Sequence, residues 1–208
     1  MSGETGMPPA DFAFTSGNKK LAKAAIAKYP KGRQASAVMP LLFLAQRQSG
    51  GWLPAAAMEH VAGILDMPPI RVYEVATFYS MYNLGPVGKH HVQVCTNLSC
   101  WLMGSDEVAD SCRKTLGVDF GETTEDGLFT LSEVECLGAC VNAPMMQIGD
   151  NYFEDLDVTA TEGILNVLKG GGTPKPGPQG RREGCEPAGG LTTLTEEPEA
   201  QGERSGDA

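Results

Sequence analysis

The chain has 208 residues, 41% hydrophobic and 20% charged, which suits one medium globular domain or two small ones and excludes general disorder. Its net charge of −10 is uneven: residues 1–95 carry nine Lys/Arg against five Asp/Glu, whereas 106–162 carry 14 acids against two bases. That acidic half is a poor nucleic-acid partner, and most of its charges read as a solvated face.

In chain order, the opening MSGETGMPPADFAF lacks the basic and apolar regions of a signal peptide and the arginines of a transit peptide. It reads as a loose arm with Pro8-Pro9 and two aromatic anchors, Phe12 and Phe14. Ser16 or Asn18 is placed to cap a helix to about Tyr29, with Leu21, Ala22, Ala25, Ile26 and Tyr29 on one face. A second helix is expected from Gln34 to Gln48, with Pro40 kinking it or sitting near its first turn. Pro54 suits the first position of a third, to about Asp66. Pro68-Pro69 opens a fourth, with Val72, Val75, Ala76, Tyr79 and Tyr82 spaced for burial. Together with the arm they define an N-terminal helical bundle over residues 1–86.

The periodicity then changes. Strands are expected at 91–95, 128–134, 145–148 and 152–154, the last two joined by the turn Gly149-Asp150-Asn151. An amphipathic helix is expected from Cys100 to about Leu116, and a final one, capped by Thr159 or Thr161, to Lys169. This order resembles a thioredoxin topology with an element trimmed, so the expected fold class is α+β with a second domain at 87–169. From Gly170 to 208 the composition turns to Gly, Pro and Glu, too poor in apolar residues for a core. Residues 173–195, with Arg181, Arg182, Cys185 and a small apolar knot at Leu191–Leu194, are expected to order against a partner or to stay disordered; 196–208 are expected to be disordered.

Six cysteines without a leader read as ligands or buried thiols of a reducing compartment. Four form two pairs, Cys95-x4-Cys100 and Cys136-x3-Cys140, each in a loop that follows a strand. Small and polar residues between them free backbone N–H groups to turn toward sulfur. Tetrahedral zinc would accept four thiolates, though neither loop holds a base and neither is C-x-x-C. A dithiol catalyst needs one such pair, not two. A [2Fe–2S] cluster takes two thiolates per iron, which two pairs supply, and the lack of a Rieske Cys/His pattern favours a low potential. Spacing alone leaves the three open.

The stretches KHHVQVCTNLSCWLMGSDEV and TTEDGLFTLSEVECLGACVNAPMMQIGDNYFEDL, with the lead GGWLPAAAMEHVAGILDMPPIRVYEVATFYSMYNLGPVGK, resemble the 24-kDa, thioredoxin-like [2Fe–2S] subunit family of respiratory complex I, the proton-pumping NADH:quinone oxidoreductase. The similarity covers about residues 12–169, and the family's four cluster ligands fall on Cys95, Cys100, Cys136 and Cys140. The resemblance implies an electron-transfer subunit with one [2Fe–2S] cluster, next to a flavoprotein subunit that carries FMN and NADH and among other peripheral-arm iron–sulfur subunits. It would touch the membrane only through the complex, on the cytoplasmic side of a bacterial inner membrane or the matrix side of a mitochondrial one. The same module occurs in NAD-linked hydrogenases and formate dehydrogenases; a zinc-stabilised scaffold is the alternative from another class.

Other candidates have plainer readings. Cys112 lies on an apolar helix face and reads as a buried thiol; Cys185 reads as unpaired or at an interface. His60, His90 and His91 read as packing or surface residues, and Asp106, Glu107 and Asp110 as acids at a helix start. Ala143-Pro144 stands where thioredoxin folds place a cis-proline, with trans the default. No Gly-rich fingerprint follows a strand, so no nucleotide or flavin site is expected in this chain.

Overall fold

Thr15 starts the first helix: its Oγ1 accepts from the Asn18 N–H at 3.2 Å, so the cap is neither Ser16 nor Asn18. The fold described is a computed structural model, which covers residues 11–187, 189, 190, 192 and 193. Pro8-Pro9, the ends of the Leu191–Leu194 knot and 196–208 lie outside the described residues. Helix α1 (Ser16–Ile26) stops three residues before Tyr29. A single 3-10 turn at Gln34–Ala37 leads into α2 (Val38–Gln48), where Pro40 sits in the first turn and costs no helical hydrogen bond. Pro54 precedes α3 (Ala55–Leu65) as its extended N-cap, and Asp66 ends it in the left-handed region at φ 52°. α4 (Pro69–Phe78) has Pro at its first position.

The helices enclose Leu41, Leu42, Ala45, Leu53, Val61, Val72 and Ala76 in one core, which Phe14 joins from the arm. Each large side chain sealed there is worth ~1.5–3 kcal/mol of transfer from water. Tyr82 is also buried, its hydroxyl donating to Met39 O at 3.0 Å. Tyr79 is exposed, against expectation, because α4 ends at Phe78 and the chain leaves the helical register.

This first compact unit holds the chain to His91 together with Gly121–Thr130, a segment from within the sequence-defined second domain. Gly88 makes the association close. A Cβ there would stand 2.6 Å from the Phe129 carbonyl carbon, and its N–H donates to Thr130 Oγ1 at 2.6 Å.

The second unit holds Val92–Phe120 and the chain from Leu131 on. The sheet has the order β2-β1-β3-β4-β5, with β1 at His90–Cys95, β2 at Phe129–Val134, β3 at Met146–Ile148, β4 at Asn151–Glu154 and β5 at Gly177–Pro178. β1 and β3 run antiparallel with Val94 opposite Met146, and β3–β4 is the expected hairpin. The helix expected from Cys100 is two helices: α5 (Leu98–Leu102) and α6 (Ser105–Leu116), broken at Gly104, φ +95°. α7 (Val158–Lys169) is capped by Asp157, which accepts from Ala160 N at 2.7 Å, and not by Thr159 or Thr161. α6 and α7 pack together, burying Val108, Cys112 and Leu116 on one and Ile164, Leu165 and Leu168 on the other.

The tail differs from its sequence reading. Gly177–Pro178 pairs in parallel with Phe153–Glu154, so the chain itself orders this part. No helix among the described residues is long and apolar enough to cross a membrane.

Candidate functional site

Both cysteine loops belong to the second unit and meet at the ends of β1 and β3. Cys95 is the last residue of β1, and its N–H donates to Met145 O at 3.2 Å. The chain then turns at Asn97, whose Oδ1 caps the short helix α5 by accepting from Leu98 N at 2.8 Å. That turn brings Cys100 back beside Cys95. Both are sealed, 1% and 2% exposed, against Ala143 and Met145, with Leu137, Ala139 and Tyr152 packed around them.

The second pair is different. Cys136 and Cys140 flank a turn at Gly138, which takes φ +85°, and both are exposed. Their sulfurs are 3.2 Å apart, and the Gly138 N–H points at Cys136 Sγ from 3.4 Å. Cys140 opens a 3-10 turn, Cys140–Asn142, that leads into the Ala143–Pro144 peptide, which is cis.

Cross-links hold the two loops together. Thr96 Oγ1 donates to Glu133 Oε1 at 2.7 Å, and Asn97 Nδ2 donates to Glu135 Oε2 beside Cys136. The Ser99 hydroxyl bonds Cys140, and the Met145 N–H bonds Cys100. Tyr152 OH donates to Leu137 O at 2.9 Å, bracing the second loop from β4.

These surroundings set the thiols apart. Burial, then the Cys95 thiol, pushes Cys100 up to about 12. Cys136 is held below its ordinary value by the Cys140 hydrogen bond and the Gly138 N–H, while Cys140 is raised by its hydrogen bond with Cys136. Cys136, exposed and held below its ordinary value, and Cys100, buried and held above it, thus differ in how easily they ionise.

The donor set fits an iron–sulfur centre. Four sulfurs arrive as two pairs, with N–H and O–H donors turned to them. The expected N–H donors are met in part: Gly138 is one, but at 97–99 the Ser99 hydroxyl takes that role and the Leu98 N–H is held by Asn97. Met145, Tyr152, Glu133 and Glu135 carry no signal in the sequence, because their roles arise only when strands distant along the chain are paired.

The other candidates stay outside. Cys112 is fully buried in α6 and pushed up to about 12 by that burial. Cys185 is exposed in the tail. His60 accepts from Phe14 N at 3.3 Å amid Phe12 and Phe14, and His90 packs on Phe129. Asp106 accepts from Trp101 Nε1 at 3.1 Å, and Asp110 and Asp119 both hold Arg113, so these acids are structural.

A small sheet with two thiol pairs at one end, one sealed and one open, is the frame of a protein suited to a thiolate-held redox centre. The sequence pattern of the thioredoxin-like [2Fe–2S] ferredoxins matches residues 22–169, and the chain belongs to that family. It is 61% identical over 159 residues to the NADH-quinone oxidoreductase E subunit of Rickettsia conorii, covering 76% of this chain and 95% of that one. The corresponding protein of Rickettsia typhi is 57% identical over 74% of this chain and 91% of its own. The mitochondrial NADH dehydrogenase [ubiquinone] flavoprotein 2 of Dictyostelium discoideum is 49% identical over 90% of this chain and 76% of its own. Among solved structures, an NAD+-reducing [NiFe]-hydrogenase shares the fold with TM-score 0.55 at 18% identity, over 62% of this chain and 23% of that longer one.

Proposed function

We propose that Cys95, Cys100, Cys136 and Cys140 are the thiolate ligands of one [2Fe–2S] cluster, and that the chain is the electron-transfer subunit of the NADH-oxidising module of a proton-pumping NADH:quinone oxidoreductase. The carrying observation is the pairing: Cys136 and Cys140 with sulfurs 3.2 Å apart, the free thiols Cys95 and Cys100 hydrogen-bonded side by side, and Ser99 reaching from one loop to Cys140 on the other. Two thiolates per iron is the demand of such a cluster.

When bound, the cluster takes up and releases one electron. The chain's own residues set the terms. Cys95 and Cys100 hold their side in a buried cluster closed by Ala143 and Met145. Gly138 and Met145 N–H and the Ser99 hydroxyl place positive hydrogens at sulfur, which offsets added negative charge. Glu133 and Glu135, at the mouth of the two loops, oppose that charge and pull the potential down.

FMN and NADH belong on a neighbouring flavoprotein subunit, with other iron–sulfur subunits nearby. The assembly would lie on the cytoplasmic face of a bacterial inner membrane, or on the matrix face in a mitochondrion. Phe78, 81% exposed, with Ile70 and Leu84 on the helical unit, offers apolar surface for such a partner. The test is Cys136→Ser in the purified chain. Loss or distortion of the visible bands and the EPR signal, with two irons and two acid-labile sulfides in the parent, is expected; an unchanged signal, or zinc in place of iron, would overturn the assignment.

A further inference from the structure

The Gly/Pro-rich tail is the part of the chain to which electron transfer gives no task, yet it is tied down over the second cysteine turn. Gln179 N–H donates to Glu154 O at 2.9 Å, extending the β5–β4 pairing. Arg182 then reaches the turn, Asp155 and, at 3.2 Å, Glu186 O within the tail itself. Its Nη1 donates to Val141 O, the carbonyl directly after Cys140, at 3.0 Å. Its Nε donates to Asp155 Oδ2 at 2.9 Å and its Nη2 pairs with Asp155 Oδ1, the two side chains being only 14% exposed.

The other face of the turn is held as well. Asn142 Nδ2 donates to Gly184 O at 2.8 Å, and Asn142 O accepts from Asp155 N at 2.8 Å. Glu186 closes the loop of the tail by accepting from Glu183 and Gly184 N–H at 2.6 and 2.9 Å. A bidentate guanidinium–carboxylate pair with little solvent contact is a rigid fixture, unlike an ordinary surface ion pair. Cys140 and Val141 are themselves exposed, so burial in the core does not hold that turn shut.

We propose that Arg182 is a positioning residue for the [2Fe–2S] site, and that residues 177–186 form a strap that fixes the Cys140 turn and slows loss of the cluster from its open side. The proposal rests on the cluster reading above. Arg182 touches no ligand sulfur and acts through Val141 O and Asp155.

The test uses the full-length, cluster-loaded protein and its Arg182→Gln, Arg182→Lys and Asp155→Asn variants. Visible circular dichroism, EPR line shape and the rate of bleaching by an iron chelator are read alongside the far-ultraviolet melt. Arg182→Gln and Asp155→Asn are expected to speed bleaching roughly tenfold, as for other outer-shell changes, and to alter the visible dichroism while the cooperative melt persists. Arg182→Lys, with charge but no fork, should recover only part of the rate, and the double variant should cost little more than either single one. A strap that merely covers the sheet would lower the melt and leave the visible spectrum and bleaching rate at parental values; that outcome overturns the proposal. A parent protein without iron and sulfide would overturn the cluster reading instead.

Discussion

Cys136 and Cys140 stand in solvent while Cys95 and Cys100 are sealed, and single residues around them decide how firmly each pair is held. Tyr152→Phe removes the hydroxyl donated to Leu137 O and should cost about 1 kcal/mol, read by chemical denaturation. Glu135→Gln keeps the shape of the bond to Asn97 but deletes a charge beside Cys136. The reduction midpoint should rise by on the order of 20 mV at low salt, less at high salt, in a spectroelectrochemical titration. His60 gives the pH dependence. Burial, then the Lys19 charge, lowers its pKa, and its Nε2 accepts from Phe14 N only when neutral. With the folded value below the unfolded one, the unfolded chain binds more protons as pH falls below ~6.5, so stability falls there. His60→Gln should flatten that part of the melting-temperature profile. The two cysteine pairs are legible in the sequence as candidate ligands because the spacing within each pair is local. Ser99, Met145 and Tyr152 are not, since a hydroxyl or amide becomes a sulfur donor or a brace only through the partner that folding brings to it.

Elements are legible where their apolar spacing is long and less so at their ends. All four bundle helices and the β3–β4 hairpin lie where periodicity puts them. The ends differ because caps are chosen by geometry: Asp157 takes the role expected of Thr159 or Thr161. Asp157→Ala should therefore cost about 1 kcal/mol, and Thr159→Ala much less, by thermal melt. The break between α5 and α6 is hidden because the apolar stripe continues across Gly104, whose positive φ lets α6 start along a new axis. Gly88 is stricter. Its missing side chain admits the backbone of Phe129 and Thr130, so Gly88→Ala should destabilise by about 1–3 kcal/mol, visible in a denaturant midpoint.

At the scale of the molecule, the helix-then-sheet order is readable from the change in period, but the membership of Gly121–Thr130 is not. Linear order cannot show a segment that leaves one unit to complete the other. Charge and exposed apolar surface act at this scale too. Phe78 is 81% exposed, so Phe78→Ser should leave stability within ~0.5 kcal/mol yet reduce co-purification with the neighbouring subunits of the native assembly. The tail reads as unstructured because Gly and Pro build no core, and its order comes from a few polar anchors instead.

Because Gly177–Pro178 lies along the outer side of β4, it also removes a row of amides and carbonyls that would otherwise invite another molecule. A chain cut after Gly172 would end its sheet on a bare border, ready to recruit strands from its own kind. Rising turbidity on storage would be the mark of that polymerisation, even in a protein still coloured by its iron.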